Sequence, residues 1–139
     1  MNTQTSGAIV YRISPPVVAA DLNALFSATW TNHKTTDFTA QLRHSLLYVC
    51  AYAASTQLVG FVNVAWDGGI HAFLLDTTVH PGWQRRGIGR ELVRRAADAA
   101  HARDIEWLHV DYEPQHAAFY RACGFTPTSA GLMQLARPD

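Results

Sequence analysis

The stretch VHPGWQRRGIGREL, Val79 to Leu92, is a corner between two different hydrophobic periods, and its reading decides the fold. Upstream, HAFLLDTTV (His71–Val79) has the apolar and β-branched content of a strand. Downstream, Ile88, Leu92, Val93, Ala96 and Ala100 recur on one helical face and Arg90, Arg94 and Asp98 on another, so a helix runs to the region of Arg103. Pro81, Arg85, Arg86, Gly87 and Gly89 stand at the turn between them. A helix start exposes amides without intrahelical acceptors and carries the positive end of the helix dipole, which suits an anion. Gly87 and Gly89 remove side chains that would keep a phosphate away from those amides, and Arg85, Arg86 and Arg90 add charge around them. The corner therefore reads as a site for a phosphate-bearing ligand.

Working outward, AIVYRIS alternates Ile9, Tyr11 and Ile13 as a first strand, and Pro15-Pro16 stops it and opens a helix extending to Ser27. TDFTAQLRHSL (Thr36–Leu46) reads as a second, short helix. LLYVCAYA and LVGFVNVAW are apolar runs separated by Ser55-Thr56-Gln57, the pattern of an antiparallel hairpin. Asp67-Gly68-Gly69 turns the chain into the His71–Val79 strand. After the corner helix, EWLHVDY (Glu106–Tyr112) is a fifth strand. Pro114 opens a helix over PQHAAFYRAC, Gly124 ends it, and GLMQLA (Gly131–Ala136) reads as a closing strand. The order predicts a mixed sheet with helices packed on it, of the α/β or α+β class.

Composition narrows the function. With 139 residues and 48% hydrophobic content the chain suits one domain with one core, spanning 1–139. The 11 cationic and 11 anionic side chains balance, so no general basic excess points to nucleic acid. Ten of the cations are arginine, and six of these lie between Arg85 and Arg103: the positive charge is local. Two unpatterned cysteines, Cys50 and Cys123, suit a reducing compartment. The opening MNTQTSGA has no basic segment followed by an apolar one, and no run of 18 apolar residues occurs. A cytoplasmic protein without a membrane segment is expected.

Two familiar phosphate patterns do not fit. Gly82 and Gly87 have the spacing of a mononucleotide P-loop, but Ile88-Gly89 replaces its Lys-Ser/Thr pair; Gly87-Ile88-Gly89 begins a dinucleotide fingerprint, but Leu92 takes its third glycine. The residues instead resemble another family. VHPGWQRRGIG is similar to the V-x-P-x-x-[QR]-x-x-G-x-[GA] signature of the GCN5-related N-acetyltransferases, and AAFYRACGF (Ala117–Phe125) is similar to their Y-x-x-x-G-F signature, in the same order and with room for one helix and one strand between.

The resemblance implies a mostly antiparallel sheet with helices on both faces and a splayed gap between the fourth and fifth strands. It implies acetyl-CoA as co-substrate, with Arg85, Arg86, Gly87, Ile88, Gly89 and Arg90 on the pyrophosphate, and Thr77, Thr78 and Val79 lending backbone groups to the pantetheine arm and the thioester carbonyl. A strand amide aimed at a developing oxyanion acts without reorganising. Tyr120 takes the place of the tyrosine that protonates the departing thiolate, a task that suits a phenol at neutral pH. For the base, the resemblance places His109, a residue type suited to proton transfer near neutral pH, ahead of Asp111 and Asp76, with Glu113 a further rival. Glu113 stands where the family often has an asparagine, and His116 where a small residue is usual.

The acceptor implied is an amine of a small molecule or a peptide N-terminus; the acidic cluster Asp76, Asp111 and Glu113 favours a cationic one. The family also implies a homodimer as one assembly. The remaining histidines have no zinc-site spacing, so no metal is expected. Cys123 reads as structural, and the arginines from Arg94 onward as a solvated face paired with Glu91 and Asp98. Two other classes are consistent with the motifs: a non-catalytic acyl-CoA-binding regulatory module, and an acetyltransferase acting on aminoacyl-tRNA, which zero net charge disfavours.

Overall fold

Residues 8–54 and 56–136 are described by a computed structural model. The elements follow in the order β1 (Ile9–Ile13), α1 (Ala19–Thr29), α2 (Thr39–Arg43), β2 (Ser45–Ala53), β3 (Gln57–Trp66), β4 (His71–Val79), α3 (Ile88–Ala102), β5 (Trp107–His109) and α4 (Ala117–Ala122). The strands form one sheet in sequence order, antiparallel from β1 to β4 and parallel between β4 and β5. The mixed, mostly antiparallel sheet is the one expected; hairpin turns make antiparallel neighbours, and the helical crossover through α3 makes β4 and β5 parallel.

Alternation along the central strands supplies two apolar faces. Val49, Ala51, Val62, Val64, Ala72 and Leu74 pack with Ile88, Leu92, Val93, Ala96 and Ala100 of α3, the very stripe visible in the sequence. On the other face, Cys50, Leu58 and Phe61 pack with Leu22, Leu25 and Phe26 of α1 and with Phe38. Arg94 pairs with Glu91 and Asp98, and Arg95 with Glu91, on the solvent side of α3. Hydrogen bonds from Arg94 and then Arg95 pull the Glu91 carboxyl down to about 2.

Several expected boundaries move. Residues 15–18 carry no regular structure and α1 starts only at Ala19, after an extended Val18 (φ −94, ψ 146). The second helix shrinks to five residues, with Ser45 and Leu46 drawn into β2 by the ladder to β3. Ser55, in the turn between β2 and β3, and the opening segment MNTQTSG lie outside the described residues. The fifth strand keeps only Trp107–His109 of the expected seven residues, since the chain beyond leaves its neighbour. The expected closing strand is absent: Gly131–Ala136 is irregular, makes no ladder, and leaves Leu132, Met133 and Leu135 between 79% and 87% exposed. Its apolar residues run together instead of alternating, so no single face directs them onto the edge of β5.

One close approach holds α3 to the sheet. A Cβ built on Gly60 of β3 would lie 3.0 Å from Leu92 Cδ1 and 3.2 Å from both Ile88 Cγ2 and Ala51 Cβ. Gly60→Ala therefore forces α3 outward, and a loss of about 1–3 kcal/mol of stability is expected in urea unfolding. An unchanged midpoint would show that α3 is not seated by this contact.

Candidate active site

The site begins where β4 and β5 part. Their parallel pairing runs His71 with Trp107, Ala72 with Leu108 and Phe73 with His109, and then stops while β4 continues to Val79. The far side of β4 keeps its ladder to β3, but with two residues, Asp76 and Thr77, opposite the single Val62: Phe61 pairs with Thr78 and Asn63 with Leu75. This bulge places Asp76 at φ 61, a left-handed conformation rare for a residue with a side chain. Thr78 Oγ1 donates to the Asp76 carbonyl at 2.8 Å and steadies it. A groove of about 1910 Å³ opens at the fork and reaches the start of α3.

At its far end the corner has the predicted form. The His80 side chain accepts from Gly82 N at 3.0 Å, and Gln84 Nε2 donates to the Val79 carbonyl at 3.1 Å, so the loop is tied back to β4. Arg85 (φ 64) and Gly87 (φ 79) turn the backbone through the left-handed region into α3. A Cβ on Gly87 would meet only open space, as an approach path for a ligand requires. Gly89 has a packing reason as well: a Cβ there would lie 3.3 Å from Phe119 Cζ, so the glycine lets α4 pack against α3. Among the described residues Arg85, Arg86 and Arg90 make no salt bridge, while Arg94 and Arg95 are held by Glu91. Arg86 lies over the Trp83 ring, 4.7 Å from its centroid. Exposed helix-start amides with three unpaired guanidiniums fit a pyrophosphate. The unpaired side of β4 beyond Phe73 fits an extended arm. The Val79 carbonyl, already bonded to Gln84, is the exception.

Tyr120 is buried between Tyr112, stacked at 5.0 Å between ring centroids, and the edges of Phe119 and Phe125. Burial raises its phenol above the ordinary value of 10.0, a hydrogen bond with Thr77 pulls it back in part, and Cys123 and Asp111 raise it further. Tyr120 lines the groove with Thr77, Asp111 and Glu113. The other candidates divide by depth. Asp76 is partly enclosed, its nearest polar partner being Gln41 Nε2 at 3.5 Å, and burial raises its carboxyl. Asp111, Glu113 and His116 are exposed. His109 sits at the vertex of the fork, stacked on Phe73 at 4.8 Å between centroids.

Sequence reasoning passed over His71, whose Nδ1 lies 2.8 Å from His109 Nε2. The only signal was its odd position in a strand whose even residues are core. The aromatic residues Phe73 and Trp107 at the same fork were likewise missed, because parity along β4 and β5 becomes meaningful only once their register is known. Elsewhere His33 bonds to Asn23, and His44 to the Ala40 carbonyl. Cys123 lines the groove, but burial pushes its thiol up, the reverse of what a nucleophile needs. Both cysteines are free. Among the described residues no cluster of three or more metal-ligating side chains occurs, and no helix is long and apolar enough to cross a membrane.

Comparison with known proteins agrees with this geometry. The sequence model of the Acetyltransferase (GNAT) family matches residues 17–125. An uncharacterized N-acetyltransferase of Porphyra purpurea is 27% identical over 109 residues, covering 76% of this chain and 63% of its own length. The chloroplastic GCN5-related N-acetyltransferase 1 of Arabidopsis thaliana is 26% identical over 132 residues, covering 93% and 66%. The chain thus spans just under two thirds of these relatives' length. Among solved structures, a putative acetyltransferase from Deinococcus radiodurans superposes with a TM-score of 0.79 at 24% identity, over 97% of this chain and 94% of that one. An aminoglycoside N-acetyltransferase solved in complex with CoA superposes at 0.75 with 17% identity, over 94% and 96%.

The raised carboxyl of Asp76 has a consequence for stability. Its proton is held more tightly in the folded than in the unfolded chain, so ionisation opposes folding as pH rises through and above the folded value. Asp76→Asn is therefore expected to raise the melting temperature at pH 7. The gain should vanish toward pH 3, where both states of the wild type are protonated. A variant less stable than wild type at pH 7 would show that the carboxylate is a structural anchor.

Proposed function

The chain belongs to the Acetyltransferase (GNAT) family, and from that we propose that it binds acetyl-CoA at the start of α3 and transfers the acetyl group directly to an amine. The observation that carries this reading is the meeting of two features in one groove: a strand pair that opens after Phe73 and His109, and a helix start with unpaired arginines. Acetyl-CoA brings the activated thioester. The chain's part is to hold, orient and move protons.

In this reading Arg85, Arg86 and Arg90, with the amides of Gly87 to Gly89, hold the pyrophosphate. The unpaired side of β4 at Thr77 and Thr78 aligns the arm and offers an amide to the thioester oxygen. Tyr120 gives its proton to the departing thiolate. Its raised pKa keeps that proton in place throughout the neutral range, and the stack with Tyr112 and the edges of Phe119 and Phe125 fix the ring. Asp76, Asp111 and Glu113 draw a cationic amine toward the fork, where His109 takes up the proton that the amine must lose. A small-molecule amine or a peptide N-terminus satisfies these requirements. Two free cysteines suit a reducing cytoplasm.

Two measurements test the reading. Acetyl-CoA at about 100 times its dissociation constant should stabilise the protein by about 2.7 kcal/mol, with ATP giving no comparable shift. Tyr120→Phe and His109→Gln should each lower kcat about a hundredfold or more, with the acetyl-CoA shift preserved. Full turnover in Tyr120→Phe would remove the phenol from the mechanism. Retained acetyl-CoA binding without turnover of any amine in the wild type would mark a binding module.

A further inference from the structure

Helices α1 and α2 leave part of the sheet face on which they pack open: α1 reaches β4 but does not cover Phe73, Leu75 or Trp107. Leu22, Leu25 and Phe26 rest on Cys50, Leu58 and Phe61 of β2 and β3. The β4–β5 half of the same face carries His71, Phe73, Leu75, Trp107 and His109. The assignment follows from alternation: Ala72, Leu74 and Leu108 pack with the α3 cluster, so their neighbours along each strand point the other way. The result is an apolar wall facing water, with Phe73 40%, Leu75 38% and Trp107 58% exposed. The stack of Phe73 on His109 and the His71 to His109 hydrogen bond fix its rings in place.

We propose that this wall receives the acceptor's side chain, and that the acceptor is a small amine carried on an aromatic group, of the arylalkylamine type. The proposal rests on the transferase reading above and deepens it. The groove presents three chemistries: arginines at the start of α3, the carboxylates Asp76, Asp111 and Glu113, and the rings of Phe73 and Trp107. Arg85 and Arg90 are the only cationic Lys or Arg side chains among its described lining residues, so no lysine or arginine on the wall awaits an acceptor phosphate or carboxylate. A cationic head between carboxylates with an aromatic body against exposed rings matches both polarities at once. A polyamine or a polyhydroxylated amine would leave the rings in water and find few polar partners on the wall.

The test separates this proposal from the reading beneath it. Phenethylamine, spermidine and ethanolamine are titrated calorimetrically into wild type and Trp107→Ala, each saturated with CoA, and the same amines are assayed for thiol release from acetyl-CoA. The acetyl-CoA-induced thermal shift of Trp107→Ala serves as a check on its folding. We expect phenethylamine to bind the CoA complex most tightly, to have the highest kcat/KM, and to lose about tenfold or more in affinity in Trp107→Ala. Binding of phenethylamine without turnover of any amine would leave the wall assigned and remove the transferase. Turnover of spermidine or ethanolamine with phenethylamine inert, or indifference of phenethylamine to Trp107→Ala, would overturn the proposal and leave the transferase. Absence of phenethylamine binding, with a dimer that Trp107→Ala dissociates, would overturn it in favour of a second copy of the chain on this face.

Discussion

The parting of β4 from β5 after a single short stretch of pairing is the constraint on which the site depends. Two causes act together. On the β3 side, the bulge at Asp76 adds a residue to β4 and increases its local twist, turning the second half of the strand away from its parallel neighbour. On the β5 side, the chain leaves the sheet at Val110, and Tyr112 is caught in a stack with Tyr120. Without the bulge, β4 could stay alongside β5 and the fork that opens the groove between them would close. The left-handed backbone at Asp76 costs stability of about 1–3 kcal/mol, and the packing of β4 against β3 offsets it.

Helix α3 links the fork to the core. Its buried stripe is set against Gly60 and the valines of the central strands, and its first turn points at the groove because the loop before it is tied to β4 through His80 and Gln84. The helix is thus oriented at both ends by different means: apolar packing along its length, and side-chain hydrogen bonds at its start. Its charges are sorted in the same way. Glu91 occupies Arg94 and Arg95, leaving the arginines of the corner to the groove.

Much of this was legible in the sequence. The stripe Ile88, Leu92, Val93, Ala96, Ala100 was read residue by residue, as were β4 and the α3 corner, since local period and turn chemistry specify them. What failed to read were properties that depend on a distant partner. Gly131–Ala136 has strand-like composition but no ladder, and composition cannot supply one. The shortening of β5 follows from the bulge in β4, thirty or so residues earlier, and nothing within WLHVDY announces it. At Gly89 the close approach of Phe119 is a further reason for glycine that the sequence did not show, because it is set by a helix that follows much later. His71 and Trp107 acquire meaning only from the parallel register that aligns them.

The separation of charge along the groove also governs how a ligand arrives. A chain with no net charge exerts little pull on an anion beyond about 8 Å at physiological ionic strength. Within that distance the groove presents both signs of charge, Arg85 and Arg90 on one side and the carboxylates Asp76, Asp111 and Glu113 among its other lining residues. An incoming molecule with phosphates at one end and an uncharged thioester at the other experiences a torque before it makes contact, and only one of its two orientations is favoured. Orientation, more than attraction, is what the charge pattern contributes to capture, and it works over a distance shorter than the ligand itself.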